Sequence, residues 1–161
     1  NTVSYSAAGA DNTATSTITV GNGNNTISHS GAAGLIYATV GTGINSVTFA
    51  AANAGVDTLT FSAANGGSQT SFTTVTNFGA GDTITFANAA LNTTITSIGA
   101  VGSIAAGVAA ASASTGYSTF TYGGSTYVYE QTGTTANNEL VAVVGTHTFT
   151  GTSTTVLTYL T

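Results

Sequence analysis

Short runs of alternating polar and apolar residues recur along this chain, "NTIS", "LIYATV" and "NSVTF" among them, as half-buried strands do. The alternation predicts strands at Thr15–Val20, Asn25–Ser28, Ile36–Val40, Ser46–Ala50, Thr58–Ser62, Phe72–Phe78 and Thr83–Ala87. Later, "FTYGGSTYVYE" reads as a hairpin about Gly123-Gly124, and "NNELVAVVG" and "TTVLTYL" as closing strands. The one helical stretch is "SIAAGVAAASAS", rich in Ala and opened by Ser103 as its cap.

The strands recur with a period. "VGNGNNTIS" and "VGTGINSVT" restate one phrase twenty residues apart; Gly21, Gly31 and Gly41 fall at ten-residue steps, as do Ile27, Tyr37 and Val47. A ten-residue unit with one inward apolar residue fits a strand plus a tight turn, and two such units make a coil. Residues twenty apart then lie above one another, Asn25 over Asn45, where stacked amides bond along the stack. The expected fold is all-β: a parallel β-roll or β-solenoid with a β-rich C-terminal capping unit and one short helix. Residues 1–62 are read as the repeats and 63–161 as the C-terminal β region, together one continuous domain.

Composition then narrows function. The chain has no Lys, Arg, Cys, Met, Pro or Trp, and its only carboxylates are Asp11, Asp57, Asp82, Glu130 and Glu139. Without cationic side chains it cannot release counterions from phosphates, which argues against nucleic acid and anionic membranes as partners. Its most apolar piece, Ile98–Ala113, is too short to span a bilayer. With 42% hydrophobic residues it lacks the profile of a disordered chain. No disulfide is available, and no trypsin-type site exists, which fits selection for survival outside a cell as well as drift in a repeat protein. The opening at Asn1 in mid-pattern is read as part of a longer or processed polypeptide.

The phrases resemble the nonapeptide G-G-x-G-x-D-x-U-x, where U is apolar, of RTX proteins, with Val at the first Gly and Asn at the Asp. "ANAGVDTLT" keeps Gly55, Asp57 and Leu59 at the matching places, and "AAGADNTA" is a remnant with Gly9 and Asp11. From Gly55 on, "GVDTLTF", "TTVTNFGAGDTITF", "STFTYGGSTYVYEQ" and "ELVAVVGTHTF" are similar, in content and order, to the C-terminal domain shared by serralysin-type RTX proteases and type I-secreted surface-layer proteins. Asn77 stands where that pattern has Asp. The resemblance implies type I export and calcium held by Asp57, Asp82 and Asp11 with glycine-turn carbonyls, Gly55 among them; Asn25 and Asn45 offer only neutral oxygens. The plain alternative is that each Asp caps a turn through backbone N–H groups.

Other chemistry is thin. His29 and His147 are read as solvent-facing strand residues rather than a zinc pair. No GxSxG elbow supports a hydrolase. Glu130 and Glu139 are read as ordinary residues of a hairpin end and a loop rather than glycosidase carboxylates. Tyr117, Tyr122, Tyr127 and Tyr129 suit a packed core better than a sugar platform. The T-x-T pairs Thr17-Thr19, Thr58-Thr60, Thr74-Thr76 and Thr83-Thr85 resemble the arrays of β-helical ice-binding proteins, though their spacing is irregular and Thr is a good exposed-strand residue. The resulting expectation is a non-enzymatic, structural, extracellular protein at the cell surface. It self-assembles into a bacterial surface layer, filament or matrix, with itself as partner and a cell-surface polysaccharide as the further partner considered. The alternative is the noncatalytic RTX C-terminal tail of a secreted enzyme or adhesin.

Overall fold

The computed structural model describes residues 1–6, 15–30, 35–51 and 55–160. Strands β1 (Thr2–Tyr5), β3 (Asn25–His29), β5 (Asn45–Thr48) and β7 (Thr73–Thr76) pair in parallel in a first sheet. Strands β2 (Thr15–Thr19), β4 (Leu35–Val40), β6 (Thr58–Phe61) and β8 (Thr83–Thr85) do the same in a second. Odd strands enter one sheet and even strands the other, so the chain winds as a β-solenoid of about five turns.

Register decides what is buried. Ile27, Val47, Val75 and Val143 share one inward column of the first sheet; Ile18, Ala38, Leu59, Ile84 and Leu157 form its counterpart in the second. Because side chains alternate across a strand, one apolar residue in two suffices to fill the space between the sheets. Rings extend the columns, Phe49 on Phe78 and Phe61 on Phe86, both at 6.0 Å between centroids. Tyr37 departs from the expected inward position: Ile36, Ala38 and Val40 fill the interior, and Tyr37, of opposite parity, is 44% exposed. The ten-residue half-period misses the inward residue of this strand by one position, and Gly31, its middle glycine, lies outside the described residues.

The C-terminal part continues both sheets. In the first, β12 (Glu139–Val144) joins β7 in parallel, then come β11 (Ser125–Gln131), β10 (Gly116–Tyr122) and β9 (Ile95–Ala100). In the second, β14 (Val156–Leu160) pairs antiparallel with β8, and β13 (Thr148–Gly151) with β14. The β10–β11 hairpin turns on Gly123 and Gly124 with φ of 58° and 80°, the two positive values a primed two-residue turn requires. Helix α1 (Ile104–Ala111) starts at Ser103, whose hydroxyl accepts the Ala106 N–H at 3.1 Å. It packs on the outer face of the β9–β11 ladder, over a second core that includes Phe120, Tyr127, Tyr129 and Leu140. Eight residues long, it is too short to cross a bilayer.

The outward face of the second sheet carries a register of its own. Thr150, Thr158, Thr83, Thr58, Tyr37 and Thr17 stand side by side across six strands.

Candidate functional site

The expected calcium residues are the place to begin. Asp57 and Asp82 occupy equivalent positions just before β6 and β8 and both are buried. Asp57 Oδ1 accepts the Ile36 N–H at 2.7 Å; Asp82 Oδ1 accepts the Asp57 N–H at 2.8 Å, and its Oδ2 accepts the Gly79 N–H at 2.6 Å. Each carboxylate thus reaches one coil back and ties the start of its strand to the coil below. Burial pushes the Asp82 carboxyl up to about 7, partly offset by the Gly79 and Asp57 N–H bonds, while the nearby Asp57 charge adds to the rise. A calcium ion at either residue would have to share it with these N–H donors. Gly55 lies half-buried at a bend two residues before Asp57, and Asp11 lies outside the described residues. Among the described residues, no three His, Cys, Asp or Glu side chains converge as a metal site.

On the first sheet an amide ladder takes the corresponding place. Asn1 Nδ2 donates to Asn25 Oδ1 at 3.1 Å, Asn25 Nδ2 to Asn45 Oδ1 at 2.9 Å, and Asn45 Nδ2 to Thr73 Oγ1 at 3.3 Å. The same amides also donate to their own turns: Asn25 to the Gly21 and Gly23 carbonyls, Asn45 to those of Gly41 and Gly43. An Asn at this position holds the turn carbonyls together with its own N–H groups, a task that a carboxylate, having no donor, cannot perform. Gly43 is required where it stands: with φ of 118°, a Cβ there would meet the Gly23 carbonyl oxygen at 2.6 Å.

Glu130 lies at the end of its hairpin strand as expected, whereas Glu139 overturns the expectation of a loop position. Both sit within strands, directly opposite each other on β11 and β12, and are 0% and 1% exposed. Parity places them on the interior face with Val128 and Val141. Tyr117 is the cross-strand partner of Glu130 on its other side, making a row Tyr117, Glu130, Glu139. Glu139 Oε2 accepts the Asn65 N–H at 3.1 Å; its Oε1 and both oxygens of Glu130 have no hydrogen-bond partner among the described residues. Burial drives the Glu130 carboxyl up to about 8. It drives Glu139 up to about 9, against the Asn65 bond and with help from Glu130's charge. Tyr117 is likewise held protonated, by burial and then by Glu130. No Lys or Arg exists in the chain to neutralise the pair. Burial without a cationic partner thus favours the protonated, neutral form of both carboxyls at neutral pH.

His29 also contradicts expectation. It is 3% exposed and lies 5.0 Å from the Tyr5 ring, because two residues on from inward Ile27 the strand points inward again. His147 is half-buried, edge-on to Tyr159, with Nε2 bonded to the Val144 carbonyl at 2.8 Å. Of the tyrosines, Tyr117, Tyr127 and Tyr129 are core residues as expected, whereas Tyr122 is 40% exposed. Asn77, the departure from the RTX pattern, takes φ of 60°, which Asn tolerates better than most residues, and its Nδ2 donates to the Phe49 carbonyl at 3.0 Å.

The missed signal was parity. Counting outward from the nearest certain core residue, Val128 for Glu130 and Ile27 for His29, places both inside. Comparison with family models, with curated proteins and with solved structures gave no match, so the likeness to RTX proteins rests on the motifs themselves.

Proposed function

We propose that this chain is a noncatalytic structural protein that assembles with copies of itself outside the cell, as a surface layer, filament or matrix. The observation that carries this reading is the open edge of the first sheet at β9, whose side chains are exposed or half-buried throughout and which pairs with β10 on one side and, among the described residues, with no strand on the other. Such an edge accepts a further strand from a second copy. With four of the five carboxylates buried and no cationic side chains, little charge opposes close approach.

Type I export and a place on the cell surface follow from the motif resemblance and are part of the same proposal. So is calcium at Asp57 and Asp82, where a cation would add to the coil-to-coil bonds already made. Sedimentation velocity and electron microscopy at high protein concentration, with calcium and with chelator, test the reading. Ordered oligomers, sheets or filaments are expected; a strictly monomeric particle under both conditions refutes it. An unchanged melting curve on adding calcium removes the calcium part alone.

A further inference from the structure

We propose that the outward face of the second sheet binds ice, its aligned threonines acting as a template for ordered water. The T-x-T pairs look irregular along the chain, yet pairing brings three of the four, all but Thr74-Thr76 on the first sheet, into two ranks. The first is the row from Thr150 to Thr17 described above. Beside it, Thr19, Thr39, Thr60 and Thr85 stand in register, followed by Val156. Corners of different length absorb the irregularity, and the strands keep the match.

Adjacent members of a rank are one strand spacing apart, about 4.8 Å, and the ranks are two residues apart, roughly 6.7 Å. This rectangular net approximates the spacing of water oxygens on the prism faces of ice. Threonine suits the task in two ways. Its hydroxyl bonds water while its methyl confines the neighbouring waters, and its β-branch leaves few rotamers, so the net is rigid before ice arrives. Thr58 and Thr83 hydroxyls are already bonded to each other at 3.0 Å along the rank. Among the described residues no charge lies on the face, since their carboxylates are all buried and the chain has no Lys or Arg.

The first sheet provides an internal comparison. Its outward positions mix Ser4, Ser28 and Ser46 with Thr, and its later strands lie under helix α1. Tyr37 is the one bulky side chain in the first rank of the second sheet, and it stands above the threonine surface. That flaw predicts a gain of function.

The test measures thermal hysteresis and inhibition of ice recrystallisation by the intact chain, with melting curves to verify folding. Thr60→Lys, at the centre of the net, is expected to raise the concentration needed to stop recrystallisation by about tenfold, as loss of a central contact does at other recognition surfaces. Thr48→Lys on the first sheet leaves it unchanged, and Tyr37→Thr lowers it. Absence of both effects in the unmodified chain overturns the proposal, and so does equal loss from Thr48→Lys and Thr60→Lys. Either result is independent of whether the chain assembles.

Discussion

Glu130 and Glu139 face each other across β11 and β12, both sealed from solvent, in a chain with no basic side chain to offset them. The folded state keeps both protons to about pH 8 and 9, whereas an unfolded glutamate loses its own near 4.5. Between these values the folded chain binds more protons than the unfolded one, so stability falls as pH rises. Asp82, raised to about 7 from 3.8, acts in the same direction. The melting temperature is therefore expected to be highest near pH 4 and to decline through pH 9. In the double variant Glu130→Gln/Glu139→Gln the decline flattens. At pH 9 it gains about 1–3 kcal/mol, or roughly 2–4 °C in Tm for each kcal/mol. A parallel decline in variant and parent would show that the pair does not titrate on unfolding.

Asn45 holds the middle of the amide ladder. Asn45→Ala takes the donor from the Gly41 carbonyl and one of three partners from the Asn25 amide, which keeps its bonds to Gly21 and Gly23, and a loss of roughly 1–3 kcal/mol is expected. Asn45→Asp keeps the acceptor for Asn25 but sets a carboxylate against the Gly41 and Gly43 carbonyls. Denaturant unfolding should place it below the parent, and added calcium should restore part of the loss if the RTX logic of the turn is retained.

Asp82→Ala removes the acceptor for two backbone donors at once, Gly79 and Asp57. A cost of about 2–5 kcal/mol follows from two orphaned N–H groups. Asp82→Asn retains one acceptor oxygen and should fall between the two in urea midpoint.

Gly107 offers a case where helix propensity misleads. Replacing a helical Gly with Ala ordinarily stabilises by about 1 kcal/mol. Here the added Cβ would lie 2.4 Å from ring carbons of Phe120, itself stacked on Tyr127 at 5.0 Å. Overpacking of this kind costs roughly 1–3 kcal/mol, so Gly107→Ala should lower Tm rather than raise it.

The sequence made much of this architecture legible because the information was local. Alternation gave the solenoid strands to within a residue or two, Ser103 and the alanines gave α1, and Gly123-Gly124 gave the hairpin. Asn25 over Asn45 was legible because both copies of the phrase share one register. Strands β1, β9 and β13 were not. Strands β1 and β13 have four residues each, and β9, though six long, sits at the head of an Ala/Gly-rich stretch where propensity is weak. The Glu pair escaped for a different reason: Glu is depleted in strands, and its partner becomes visible only when β11 and β12 are paired. The threonine net depends on pairing as well, since Thr39 to Thr60 and Thr60 to Thr85 differ in sequence separation but not in rank.

That last relation reaches beyond the threonines. Vertical neighbours are matched by hydrogen-bond ladders, not by residue count, so the circumference of a coil can change without moving anything stacked above or below it. Longer bends such as residues 62–72, unlike the stacked turn at 41–44, are thereby open to insertion: a foreign peptide spliced into one would be carried on the outside of the scaffold. Relatives of such a chain would diverge first in the lengths of their bends and last in the parity of their strands.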